Sequence, residues 1–273
     1  MNKLRDISKR ITGHQHGPIN RLISPQDIGE QLKPFIFLDY FNAEITPGFG
    51  FPMHPHSGIA TLTWQPGSDV RYQDTTGKNG VLKAGGLEWM NAGGGAWHQG
   101  MLMGQGYVTG FQLWVAMPPD IEDGPSFGQY VPPEEVPIAK IGAGEVKVLL
   151  GSYGGVVSPI NSHQDMNYFV ANVRKGNTWL YQPPLDHDVG FAFVFSGDGS
   201  VQGAPSNAEL LVFDSGEGAI EIAAAKSDVK VLLGTAKRHP HPLILGTSSV
   251  HTNSESLKRS LEKIRQIGAR LSR

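Results

Sequence analysis

Residues 50–64 read GFPMHPHSGIATLTW, and this stretch sets how the rest of the chain is interpreted. Its second part, Ile59 to Trp64, is β-branched and aromatic, which predicts a strand. Its first part holds His54 and His56 two places apart between prolines and glycines. Residues two apart on a strand project to one face, so both imidazoles can aim at one point. That is how a metal chelate begins, and it is equally the pattern of a solvated loop pair. A third ligand has to decide between them.

Outward from this segment, short apolar runs recur between turn residues: PFIFLDYF, YVTGFQLWV, VKVLL, NYFVANV, FAFVFSG, ELLVF and a second VKVLLG. The 35 Gly and 19 Pro are spread between these runs, too frequent for a helical bundle and not gathered in a low-complexity tract. Many short strands with regular punctuation predict an all-β sandwich or barrel. The Pro- and Glu-rich stretch YVPPEEVPIAKIGAGE, Tyr130 to Glu145, reads as a linker between two strand-rich halves, residues 1–132 and 133–273. VKVLLG at Val146–Gly151 and again at Val229–Gly234 falls within the second half, as two strands of one barrel.

Charge and composition exclude several partners. With 23 basic and 25 acidic residues the formal net charge is -2, so no global positive field argues for nucleic acid or an anionic membrane. No apolar run approaches the roughly 20 residues of a membrane-spanning helix, and MNKLRDISKRITG lacks the apolar middle of a secretory signal, so a cytoplasmic protein is expected. The absence of cysteine leaves His, Asp and Glu as the donors for any tight metal site.

The third imidazole comes from NGVLKAGGLEWMNAGGGAWHQG, Asn79 to Gly100. Its glycines fit neither GxGxxG nor GxxxxGK[ST] and read as tight turns between barrel strands. AWHQG then delivers His98 on a strand, so three histidines from two strands of one barrel can converge. FPMHPHSGIATLTW, GVLKAGGLEWMNAGGGAWH and the earlier PFIFLDYF resemble the N-terminal domain of the pirin family of the cupin superfamily. The resemblance is most specific over residues 34–100, and it implies two cupin-type β-barrel (jelly-roll) domains, with the metal in the first.

In pirins the metal is held by the two histidines of HPH, a third in the later motif and a glutamate two residues beyond it. His54, His56 and His98 match the three imidazoles, whereas the glutamate position is Gly100. A second carboxylate that follows HPH by four places in pirins is replaced here by Ala60. Gln99 points to the opposite side of its strand and does not substitute. The expected cofactor is a divalent transition metal, iron first, with nickel, copper, manganese and zinc also suited to imidazole donors.

Three classes of function follow from the resemblance. One is a metal-binding protein with an atypical three-histidine site and a regulatory role toward a protein partner. Another is a quercetinase-like dioxygenase acting on a small aromatic, flavonol-like ligand, for which the catalytic residues stay unassigned; Glu88 is a base whose direction the sequence leaves open. The third is a metal-free degenerate cupin holding a small organic ligand. Phe51 and Met90 are read as pocket walls, the five tryptophans as core, and Trp97 as facing away from His98.

Elsewhere, Thr252 with Glu255 fits a capping box that starts a C-terminal helix, with Leu257, Leu261, Ile264, Ile267 and Leu271 at helical spacing. Its basic residues, Lys258, Arg259, Lys263, Arg265, Arg270 and Arg273, read as a solvated face. His14 and His16 read as a surface pair, Arg238–Pro242 (RHPHP) as an extended connection, and Asp186, His187 and Asp188 as a turn at the mouth of the second barrel.

Overall fold

The structure, a computed structural model, describes residues 3–46, 48–142 and 144–271. The chain forms two compact units, each built from one seven-stranded and one four-stranded antiparallel sheet. This is the all-β, two-barrel architecture expected for a bicupin, with one long helix at the C-terminus.

The first unit comprises residues 15–135 and 239–273. Its large sheet runs Phe127–Val131, Leu87–Asn91, Ile59–Trp64, Gly106–Ala116, Phe35–Ile45, Ile19–Ile23, with His14–His16 at the edge. Phe35 to Phe41 are all buried, as a central strand covered on both faces requires. Its small sheet runs Gly50–His56, Ala96–Leu102, Val70–Asp74, Asn79–Leu82. Gly50–His56 is thus an edge strand, where Pro52 and Pro55 remove no ladder bond on the open side.

The second unit comprises residues 1–14 and 136–238. Its large sheet includes both VKVLLG copies, which flank and pair with Met166–Val173. Its core packs Val146, Val148, Phe169, Phe213, Val231 and Leu233 among others, and every residue of this set is at most 2% exposed. The two VKVLLG segments are therefore neighbours of one strand in one sheet.

The units are not the contiguous blocks 1–132 and 133–273. The chain crosses from one unit to the other between residues 135 and 136, and also near residues 14 and 238. Ile7–Ile11 pairs antiparallel with Leu210–Phe213 and closes the edge of the second unit's large sheet. The C-terminal segment belongs to the first unit because its helix, Ser254–Leu271, packs against Ala96–Leu102. Apolar edges and faces distant in sequence decide membership, and a linker-based division cannot see them.

The helix starts one residue later than its capping box implies. Asn253 Oδ1 accepts the Ser256 N–H at 2.9 Å and caps the helix, while Thr252 is bound instead to Glu122. Its buried face is Ser256, Ser260 and Ile264, and Leu261 and Leu271 are exposed. Arg259 and Arg265 are in ion pairs on the solvated side; Arg273 lies outside the described residues.

Candidate metal centre

Two neighbouring strands of the small sheet, Gly50–His56 and Ala96–Leu102, bring the histidines together. His54 lies directly opposite His98 in the register, and His56 follows two residues on, so all three share one face. Ring centroids are 4.5 Å apart for His54–His98, 4.9 Å for His54–His56 and 5.2 Å for His56–His98. One ring nitrogen from each lies within 4.8 Å of the others.

Hydrogen bonds to the other nitrogens decide which atoms are free. Nδ1 of His54 lies 2.7 Å from the Pro52 carbonyl, and Nδ1 of His56 lies 2.9 Å from the Ser248 carbonyl. Nδ1 of His98 lies 3.2 Å from Oε1 of Glu88. Each partner only accepts, so each Nδ1 carries the proton and each Nε2 keeps its lone pair. Burial, followed by the neighbouring imidazoles, pushes the pKa of His54 below the usual value and that of His56 well below it. Both rings are held neutral, as metal ligands must be.

A cavity of about 340 Å³ opens in front of the trio. Aromatic walls dominate: Phe37 stacks on Trp114 with centroids 4.1 Å apart, and Trp114 meets the edge of His56 at 4.9 Å. The lining carboxylates are Asp39 and Glu88. Asp39 is gripped by both Nε and Nη2 of Arg21, at 2.9 and 3.1 Å. Glu88, 3% exposed, reaches from the large sheet across to His98.

The sequence-level expectations fare differently from place to place. Phe51 and Gly100 line the cavity; Met90 instead packs with Ala92 and Ala96 in a separate core cluster. Gln99 bonds Gln73 and not the histidines, and Trp97 donates Nε1–H to the Ile264 carbonyl on the helix. His14 and His16 are exposed, on a short strand. His187 is buried with Nδ1 3.0 Å from Thr235 and Nε2 3.0 Å from Asp165, so both nitrogens serve the fold. The sequence reading missed a second polar cluster, Ser57, Ser249, His251, Glu122 and Asp123, because its members lie in three unrelated segments.

Comparison with known proteins bears on the same residues. The pirin family model matches residues 18–115, the span holding all three histidines and Glu88. A pirin-like protein from Caulobacter vibrioides is 30% identical over 241 residues, which is 85% of this chain and 86% of that one. The chain belongs to the pirin family. Among solved structures, a quercetin 2,3-dioxygenase from Acinetobacter baumannii superposes on this pirin with a TM-score of 0.87 at 20% identity, covering 96% of this chain and 97% of that one. The bacterial pirin YhhW from Escherichia coli in complex with nickel(II) gives 0.64 at 22% identity, covering 88% and 100%.

The residues of this pirin fit an ion. Nε2 of His98 is buried with no hydrogen-bond partner, an expensive state for a polar atom unless a ligand meets it. Three neutral imidazoles with convergent lone pairs suit a borderline transition ion and leave positions for other ligands. Glu88 behind His98 is the carboxylate–histidine arrangement that fixes a ligand's tautomer and raises its basicity.

Proposed function

We propose that this pirin binds a divalent transition ion, iron first, through Nε2 of His54, His56 and His98, and acts as a quercetinase-like dioxygenase on a flavonol-like aromatic substrate. The observation that supports it is the cavity of about 340 Å³, walled in part by Phe37, Phe111 and Trp114, onto which the three histidines open, a size and lining suited to a planar organic ligand. When bound, the ion supplies Lewis acidity and one-electron chemistry.

The chain's own residues do the rest. Phe37 and Trp114 stack on each other, with Arg21 over the other face of Phe37, and make a rigid apolar wall that confines a planar ring and excludes water. Glu88 holds the Nδ1 proton of His98 with one oxygen, and its other oxygen is the acceptor for a substrate hydroxyl proton. It restores behind the ligands the negative charge that Gly100 does not supply among them. Gln112 accepts from Thr63 at 2.8 Å and has a buried Nε2 without a partner, an N–H to offer a substrate oxygen.

The test is oxygen uptake by tag-free protein reconstituted in turn with iron, nickel, manganese and copper and mixed with a flavonol. Uptake that vanishes in His56→Ala and falls in Glu88→Gln supports the reading. Metal bound through the histidines without uptake under any ion overturns the dioxygenase and leaves a metal-binding protein.

A further inference from the structure

Behind the three-histidine centre, on the far side of Ser57, lies a second group of donors. His251 has a side chain 0% exposed, and Glu122 is 1% exposed, whereas Asp123 at 32% reaches solvent. His251 Nε2 lies 3.0 Å from Ser57 Oγ, whose own hydroxyl donates to Ser249 Oγ at 2.8 Å. Ser57 therefore accepts from Nε2–H, and the lone pair of His251 is on Nδ1.

That lone pair faces two anions. Nδ1 lies 3.6 Å from Oδ1 of Asp123 and 3.8 Å from Oε1 of Glu122, too far for hydrogen bonds, and it has no other partner. Both carboxyls are held below the usual carboxylate range although burial pushes each up: Thr252 donates twice to Glu122, and Arg259 and Ser256 donate to Asp123, so both face His251 as anions. Arg259 neutralises one charge from the Oδ2 side of Asp123, leaving the face toward His251 with a negative excess.

We propose that His251 Nδ1, Glu122 Oε1 and Asp123 Oδ1 bind a second divalent transition ion, of the zinc type. One imidazole and two carboxylates are a mixed nitrogen and oxygen set that such ions take. At metal–ligand distances of about 2.0–2.2 Å, tetrahedral ligands sit roughly 3.4 Å apart; the two separations from Nδ1, 3.6 and 3.8 Å, are already close to this, and all three donor atoms lie within 4.8 Å of one another. The exposed side of Asp123 gives the entry path and room for a water as fourth ligand. The ion clamps the segment that carries Ser248, whose carbonyl holds His56.

Full-length, tag-free protein stripped with chelator and titrated with Zn²⁺ tests this, bound zinc being counted by elemental analysis. Two tight equivalents are expected, with one lost in Asp123→Asn and in His251→Asn, and the other lost in His56→Ala. Loss in the first pair but not in His56→Ala would support this site while failing the three-histidine one. Unchanged zinc in both Asp123→Asn and His251→Asn overturns the proposal. Nitrogen-15 NMR of the zinc-loaded parent protein decides independently of variant folding: an unprotonated, metal-shifted His251 Nδ1 is expected, and an imidazolium there overturns it.

Discussion

At position 100 a side chain would find room, since a Cβ there meets Val70 Cγ1 at 3.4 Å, an ordinary contact, and the position lines the cavity beside His98. Gly100→Glu should add an anionic oxygen donor and tighten metal binding at least about tenfold, about 1.4 kcal/mol, in chelator competition. Glu88→Gln should weaken it about 10- to 100-fold while leaving all three imidazoles in place, because the amide no longer polarises His98. Acid should release the metal below the range set by an ordinary imidazole, since burial disfavours protonation of His54 and His56; metal retained on the protein across a pH series checks this. The histidines were legible because HxH on a strand aims both rings to one side and the pirin resemblance supplied His98 as the third. Glu88 was not, since nothing in LEWMN says which face meets the other sheet.

Among the elements, the C-terminal helix owes its seat to small residues. A Cβ at Gly268 would lie 2.6 Å from Cζ2 of Trp97, whose indole N–H is bound to the Ile264 carbonyl. Gly268→Ala should therefore destabilise by about 1–3 kcal/mol in chemical denaturation despite alanine's better helix propensity. Helical spacing in the sequence was enough to find the helix and its buried Ile264, with Leu257 and Ile267 half-buried, but Leu261 and Leu271 of the same expected stripe are exposed. Ser256, Ser260 and Gly268 lie there because a tryptophan and a carboxylate cluster occupy the space opposite. The strand Gly50–His56 shows the converse: its two prolines look prohibitive for a strand until its edge position is known.

On the scale of the whole molecule, the all-β class followed from run length and punctuation and the two barrels from the pirin resemblance, whereas the assignment of the N-terminal strand needed a pairing partner roughly 200 residues away in the chain. Acid sensitivity belongs to this scale. His239, 1% exposed, has its pKa pushed down to about 4 by burial, then by His241 and Lys33. The unfolded chain binds that proton from about pH 6.5 downward, so stability is full above that value, falls by about 1.4 kcal/mol per pH unit, and levels off below about pH 4. Denaturant unfolding across this window should show the loss, and His239→Gln should flatten it. The central claim, that three Nε2 atoms gather around an ion, is tested most directly by anomalous diffraction at the metal edge from crystals of tag-free, iron-loaded protein. A peak about 2.1 Å from Nε2 of His54, His56 and His98 is the expected result; rings turned apart, or drawn into hydrogen bonds with one another and no peak between them, would contradict it.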